Sequence, residues 1–147
     1  RMMIATSGWE MLSHLINLGV AYVLAFPIGW NRERQERSAG IRTFPLVAMA
    51  ACGFVLVAIR ILGVDSIGQA HILEGLITGV GFIGGRAILK HRTQALGTAT
   101  AASLRVTGAL GAAVGYGLYD IAAILGAVTY TALRYAPLKE IAREKET

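Results

Sequence analysis

From Met11 to Asn31, 21 consecutive residues include no Asp, Glu, Lys or Arg. About 20 apolar residues cross the roughly 30 Å hydrocarbon core of a bilayer, so this stretch belongs either in a protein interior or in a membrane. Composition separates the two. The 147-residue chain is 54% hydrophobic and only 16% charged, against about 25% charged in an ordinary soluble domain. That is too little charge to coat a globule, and far too apolar for disorder. The stretch is also longer than the apolar region of a signal peptide, and no small-x-small cleavage site precedes Trp30. It reads as a retained helix over about 11–30, with Trp9 and Trp30 at opposite interfaces. Pro27 is expected to kink or loosen its last turn.

Four further apolar runs follow, over about 44–62, 70–89, 98–114 and 118–135, with a turn at Gly115-Tyr116-Gly117 and a stop at Pro137. The pattern predicts an all-α polytopic bundle of five transmembrane helices over residues 1–137, then a short cytoplasmic tail over 138–147. Basic residues set its orientation. Arg32, Arg34, Arg37, Arg42, Lys90, Arg92, Arg134, Lys139, Arg143 and Lys145 all fall on one side of such a five-span chain, and only Arg1 on the other. The N-terminus is therefore expected outside and the C-terminus in the cytoplasm. Because the clusters interrupt long apolar runs, the net charge of +5 points to a lipid bilayer as the partner, and not to nucleic acid.

The third run is rich in glycine. Gly75 and Gly79 are four apart, as are Gly81 and Gly85, the small-xxx-small spacing of close membrane-helix contacts. Gly79, Gly81 and Gly84 also spell a dinucleotide-binding pattern, but without the preceding strand that such a site requires. Gly108 and Gly111 continue the theme in the fourth run, so the third and fourth helices are expected to meet through Gly75, Gly79, Gly108 and Gly111. Thr100, Ser103 and Thr107 share one helix face; such hydroxyls bond their own backbone or a neighbouring helix, and an ion path is the alternative. His71 and Glu74 also share a face, but two ligands do not make a metal site. The lone Cys52 excludes an internal disulfide and reads as a small core residue. No catalytic constellation, metal or cofactor is predicted.

Four charges fall inside the runs: Arg60, Glu74, Arg86 and Arg105. A charge at the bilayer centre costs about 2.5–3.5 kcal/mol on insertion scales, so pairing matters. Arg60 and Glu74 are matched in depth across a short turn and are expected to pair. Arg105 enters from the opposite side and is expected to reach toward the cytoplasm or toward Glu33, at a site that Arg105→Trp would relieve.

The connection after the first run is the most distinctive segment. Gly40 is expected to take a positive φ, Thr43 to cap the next helix, and Pro45 to sit in its first turn. Glu33 and Glu36 answer the neighbouring arginines. The segment is either an ordered turn alone or a docking surface or anion site for a partner, with Arg32, Glu33, Ala39, Gly40, Arg42 and Thr43 as its residues.

Two segments resemble the MgtC/SapB family of bacterial inner-membrane proteins. One is Ile28-Gly-Trp-Asn-Arg-Glu-Arg-Gln-Glu-Arg-Ser-Ala-Gly-Ile-Arg-Thr43, similar to the family's Gly-x-Glu-Arg…Ala-Gly-Leu-Arg-Thr. The other is Gly79-Val-Gly-Phe-Ile-Gly-Gly85, leading to Gly97-Thr-Ala-Thr-Ala-Ala-Ser-Leu104 and Gly108-Ala-Leu-Gly111. The resemblance spans about Gly19 to Leu133. It implies a multi-pass protein of the bacterial inner membrane that is not an enzyme. The implied role is regulation or stress adaptation at low magnesium, exercised on other membrane proteins, the proton-driven ATP synthase among them. Transport of Mg²⁺ or another cation is the alternative, and a homo-oligomer is compatible with the glycine faces. The chain departs from the family pattern at Asn31, Arg86, Arg92 and Arg105, where Glu, Gly, Gly and Trp are usual.

Overall fold

A computed structural model describes residues 7–35, 39–89 and 98–135. The described residues form five α-helices and no strand: α1 Gly8–Arg34, α2 Thr43–Leu62, α3 Gly68–Leu89, α4 Thr98–Gly115 and α5 Tyr119–Tyr135. The tail 138–147, Pro137, Arg37, Glu36 and the segment holding Lys90, His91 and Arg92 lie outside them. α1 and α2 are each long and apolar enough to cross a membrane.

α1 starts earlier and ends later than the apolar run alone suggests. Ser7 and Glu10 form a reciprocal capping box, Ser7 Oγ accepting from the Glu10 amide and Glu10 Oε2 from the Ser7 amide. Two otherwise unpaired donors are satisfied, which fixes the first turn. At the other end the helix runs unbroken through Pro27 for nearly two more turns, so Pro27 neither ends it nor lies in its last turn. Trp9 and Trp30, both exposed, stand about 31 Å apart along the axis at 1.5 Å per residue, close to the thickness of a bilayer core.

α4 is the centre of the bundle: it touches each of the other four helices, while α3 meets only α2 and α4. Eleven of its residues are buried, including Leu104, Thr107, Leu110 and Val114. Against them lie Ala21, Ala25 and Ile28 of α1 and Phe44, Ala48 and Cys52 of α2, all fully buried. The axis is thus filled by side chains. Large apolar residues point outward instead, among them Leu15, Phe54, Ile61, Ile77, Phe82, Ile124 and Val128. α4 closes with paired bonds from the Gly117 amide to Val114 O and the Leu118 amide to Ala113 O. Gly117 takes φ +76°, the left-handed position that this cap assigns to glycine.

The glycine contacts differ from the sequence expectation. Gly75 and Gly79 have no neighbour where a Cβ would stand; they line a shallow groove between α2 and α3 beside Ala50, Phe54 and Ile83. α3 meets α4 through Gly84, where a Cβ would lie 3.3 Å from Ala101 O, and through Val80, which fills the space over Gly108 at 2.9 Å. The closest approach is to α2. A Cβ on Gly111 would collide with the Ala48 carbonyl, and one on Gly115 would lie 2.7 Å from Val55 Cβ and 3.0 Å from Cys52 O. Gly111 and Gly115 are one turn apart, as are Ala48 and Cys52. Two parallel helices therefore share a small-xxx-small seam of the kind that close packing in lipid requires.

We expect Gly111→Ala to destabilise the purified protein by about 1–3 kcal/mol or to abolish folded yield, as overpacking does, and Gly79→Ala to change thermal stability by less than about 0.5 kcal/mol. Equal effects in a detergent melting experiment would contradict the α2–α4 seam.

Candidate functional site

The bundle has two chemically different ends. The starts of α2 and α4 and the ends of α1, α3 and α5 carry Arg32, Arg34, Arg42, Arg86 and Arg134. The opposite end carries Glu10, Arg60, Asp65 and Asp120.

At the arginine-bearing end, one face of α1 builds the turn that leads into α2. A Cβ on Gly29 would lie 3.0 Å from Gly40 O and 3.3 Å from Pro45 Cδ, so glycine there lets the turn rest on the α1 backbone. One helical turn later, Glu33 Oε2 accepts from the Ile41 amide at 3.1 Å. The same carboxylate occupies the space that a Cβ on Gly40 would need. A side chain at Gly40 would displace this carboxylate and break the clasp, and no positive φ is involved: among the described residues only Gly63 and Gly117 are glycines with positive φ. Thr43 is likewise not the cap. The cap position is Arg42, with no side-chain hydrogen bond, and the Gly40 carbonyl instead accepts from the Thr43 and Phe44 amides. Pro45 falls in the first turn, as expected.

Ala39 and Gly40 are buried in this clasp, while Arg42 is exposed. Arg32 turns the other way and is 3% exposed. Its Nη1 donates to Gln35 Oε1 at 3.3 Å, and Gln35 Nε2 donates to Asn31 Oδ1 at 3.2 Å and to the Leu133 carbonyl of α5 at 3.4 Å. The neutral Asn31 thus serves as a local acceptor where the family pattern has Glu. Arg32 is a buried arginine that holds Gln35, which ties α1 to α5, and Arg42 is the arginine presented outward.

At the opposite end, sequence reasoning paired the wrong acid. Arg60 Nη1 lies 3.0 Å from Glu10 Oε2, so the carboxylate that caps α1 also holds the end of α2. Glu74 points away; its neighbour is His71 at 3.8 Å, and both side chains are 78% exposed. The pattern Ser7-x-x-Glu10 was the readable signal for a placed carboxylate at this end. Two further links close it. Gln69 donates to Gly63 O at 2.7 Å and accepts from Tyr116 Oη at 2.8 Å; burial pushes the Tyr116 hydroxyl's pKa up, so it stays a donor. Tyr119 donates to Asn17 Oδ1, joining α5 to α1.

Arg86 is exposed in the last turn of α3. Arg105 does not reach toward Glu33, whose carboxylate is held by Ile41. Its guanidinium lies across α3, with Nη2 2.9 Å from where a Gly81 Cβ would be. Gly85 is open. On α4, Ser103 Oγ donates to Thr100 O at 2.9 Å and Thr107 Oγ1 to Ser103 O at 2.7 Å, so both hydroxyl protons go to their own helix. Among the described residues no three His, Cys, Asp or Glu side chains are grouped to hold a metal.

The MgtC family model matches residues 18–141. The chain belongs to the MgtC family. It is 36% identical to protein SrpB of Synechococcus elongatus, over 92% of this chain and 79% of SrpB. It is 34% identical to the putative magnesium transporter YhiD of Escherichia coli, over 73% of this chain and 53% of YhiD. Against protein MgtC of Brucella abortus the identity is 34%, over 79% of this chain and 48% of that protein. The chain therefore spans about half the length of YhiD and MgtC. No solved structure matches it.

We expect Glu33→Ala to speed hydrogen exchange at the Ile41 amide about fivefold, the effect of losing one hydrogen bond, and Arg42→Ala to leave it unchanged. An unaltered Ile41 rate in Glu33→Ala would mean that the clasp is not formed in solution.

Proposed function

We propose that this chain is a non-enzymatic, multi-span protein of the bacterial inner membrane. It adapts the cell to low magnesium by acting on other membrane proteins through its arginine-bearing end. The observation that carries this reading is the filled bundle axis. Leu104, Leu110, Val114, Ile28 and Phe44 are all essentially unexposed, and among the described residues the Ser103 and Thr107 hydroxyls are spent on their own backbone and line no polar path. A dication conduit needs oxygen ligands and retained water along its length. A regulator needs a stable bundle and a placed surface. The outward belt of Leu15, Phe54, Phe82 and Val128 supports five spans, because such faces are stable only against lipid or a partner. The arginines gathered at one end favour a cytoplasmic location for that end, hence an N-out, C-in chain. The docking residue is Arg42, exposed at the tip of a turn that Gly29, Glu33 and Gly40 hold rigid. A membrane-protein partner such as the proton-driven ATP synthase suits this end by the family resemblance, and YhiD's name as a putative magnesium transporter supports the link to magnesium.

Arg42→Ala is expected to abolish any low-magnesium growth advantage that the chain confers, while Arg34→Ala, an exposed arginine two turns of sequence away, preserves it. Equal loss in both would reduce the effect to net charge. Purified chain in proteoliposomes is expected to carry no Mg²⁺ above empty vesicles; clear uptake would replace regulation by transport.

A further inference from the structure

Arg105 is a cation inside an apolar surface. It lies seven residues from the start of α4, about 10 Å along the axis, and is exposed on the bundle exterior. The α3–α4 contacts at Gly84 against Ala101 and Val80 against Gly108 bracket it, so it sits within the seam between those helices. Its guanidinium rests on the bare Cα of Gly81, and among the described residues no carboxylate is paired with it. Glu74, on the same helix as Gly81, is seven residues distant, about 10 Å along the axis.

From Arg105 a groove of about 320 Å³ runs along the seam toward the other end of the bundle. Its walls are apolar, with Ile77 and Val80 on one side, Ala109 and Ala112 on the other and Tyr116 at the far end. From Arg105 to Tyr116 is eleven residues, about 16 Å of helix rise, or half the roughly 30 Å core. That is the length of one acyl chain. The volume lies at the lower limit of small-ligand sites, and an α-helix about 10 Å across would not enter it. A cation about 10 Å inside the core at one end of a chain-length apolar groove calls for an anionic amphiphile whose headgroup is drawn inward, the local bilayer thinning by which membranes accommodate an intramembrane arginine.

We infer that the α3–α4 groove seats one acyl chain of an anionic phospholipid whose phosphate pairs with Arg105. The planar guanidinium offers two parallel N–H donors to two phosphate oxygens, and Gly81 leaves room for it to lie flat. This inference rests on the membrane-embedded reading above.

The test is native mass spectrometry of the full chain released from nanodiscs containing equal phosphatidylglycerol and phosphatidylcholine with identical acyl chains. One retained phosphatidylglycerol is expected, favoured about tenfold over phosphatidylcholine: both carry the phosphate, but choline's own cation answers it internally and repels the guanidinium. Arg105→Gln should abolish the preference, Arg105→Lys should lower it several-fold because the fork is lost, and Ala109→Trp should prevent retention of either lipid by filling the groove. Arg134→Gln should change nothing. Equal retention of the two lipids by the parent chain would overturn the inference, as would an unchanged preference in Arg105→Gln or an equal loss in Arg134→Gln. If Arg105→Gln does not fold, the Lys and Trp variants decide: full retention of the preference in both overturns it. A photo-crosslinker at position 109 that captures a protein segment instead of lipid also overturns it. Carbonate extraction of cell membranes separates the two readings, since a chain that stays in the membrane yet shows no lipid preference leaves the embedded fold intact and removes only the lipid seat.

Discussion

The seam between α2 and α4 is the contact on which the rest of the bundle depends. Ala48 and Cys52 present backbone carbonyls to Gly111 and Gly115, with only the Val55 side chain packed in beside Gly115. In lipid no hydrophobic gain drives apolar helices together, so association rests on van der Waals contact and Cα–H···O attraction between close backbones. With α2 and α4 fixed as a parallel pair, α1 covers both on one side. α3 reaches α4 by a looser, side-chain contact through Val80 over Gly108. α5 closes against α4 and α1, with Gly126 under Leu110.

Polar groups then lock chiefly the helix ends, with Tyr119 and Asn17 joining α5 to α1 further in. Glu10 serves two duties at one end, capping α1 and holding Arg60 of α2. Arg32, Asn31 and Gln35 tie α1 to α5 at the other. This division follows from the solvent on each part of the helix. Mid-span polar contacts have nothing to gain over backbone bonds already made, as Ser103 and Thr107 illustrate. At the ends, unpaired helix donors and acceptors need partners in any case, so side chains placed there both satisfy the backbone and join elements. The exposed Arg42 stands at such an end, beside the Glu33–Ile41 hydrogen bond.

Much of this was legible in the sequence. Apolar runs set the number of helices, and the Gly115-Tyr116-Gly117 turn and Pro45 fell where read, whereas Arg32 turns away from Gly40 and Arg42. Helix rotation was not legible. A helix that is apolar all round has no polar face to say which side turns inward. So the spacing of Gly75 and Gly79 looked as good a contact face as that of Gly111 and Gly115, yet the former is open and the latter closed. Depth alone likewise made Glu74 the natural partner for Arg60. Rotation directs Glu74 outward, and Glu10, one turn into α1, takes its place. Gly40 illustrates the same limit: the space beside it is taken by a carboxylate seven residues earlier on another element, a contact that no local conformational rule contains.

The unequal seams also bear on where the molecule can yield. α3 has only two neighbours, its Gly75, Gly79 and Gly85 are uncovered, and grooves flank it on both sides, one toward α2 and one toward α4. The other four helices share contacts around α4 that include direct backbone approach. A change in the surroundings, whether in lipid or in a partner, therefore meets least resistance at α3. The clasp at Glu33, Gly40 and Ile41 is built on α1 and α2, away from that helix. The fold thus separates a closely packed four-helix frame bearing Arg42 from a peripheral helix flanked by open grooves.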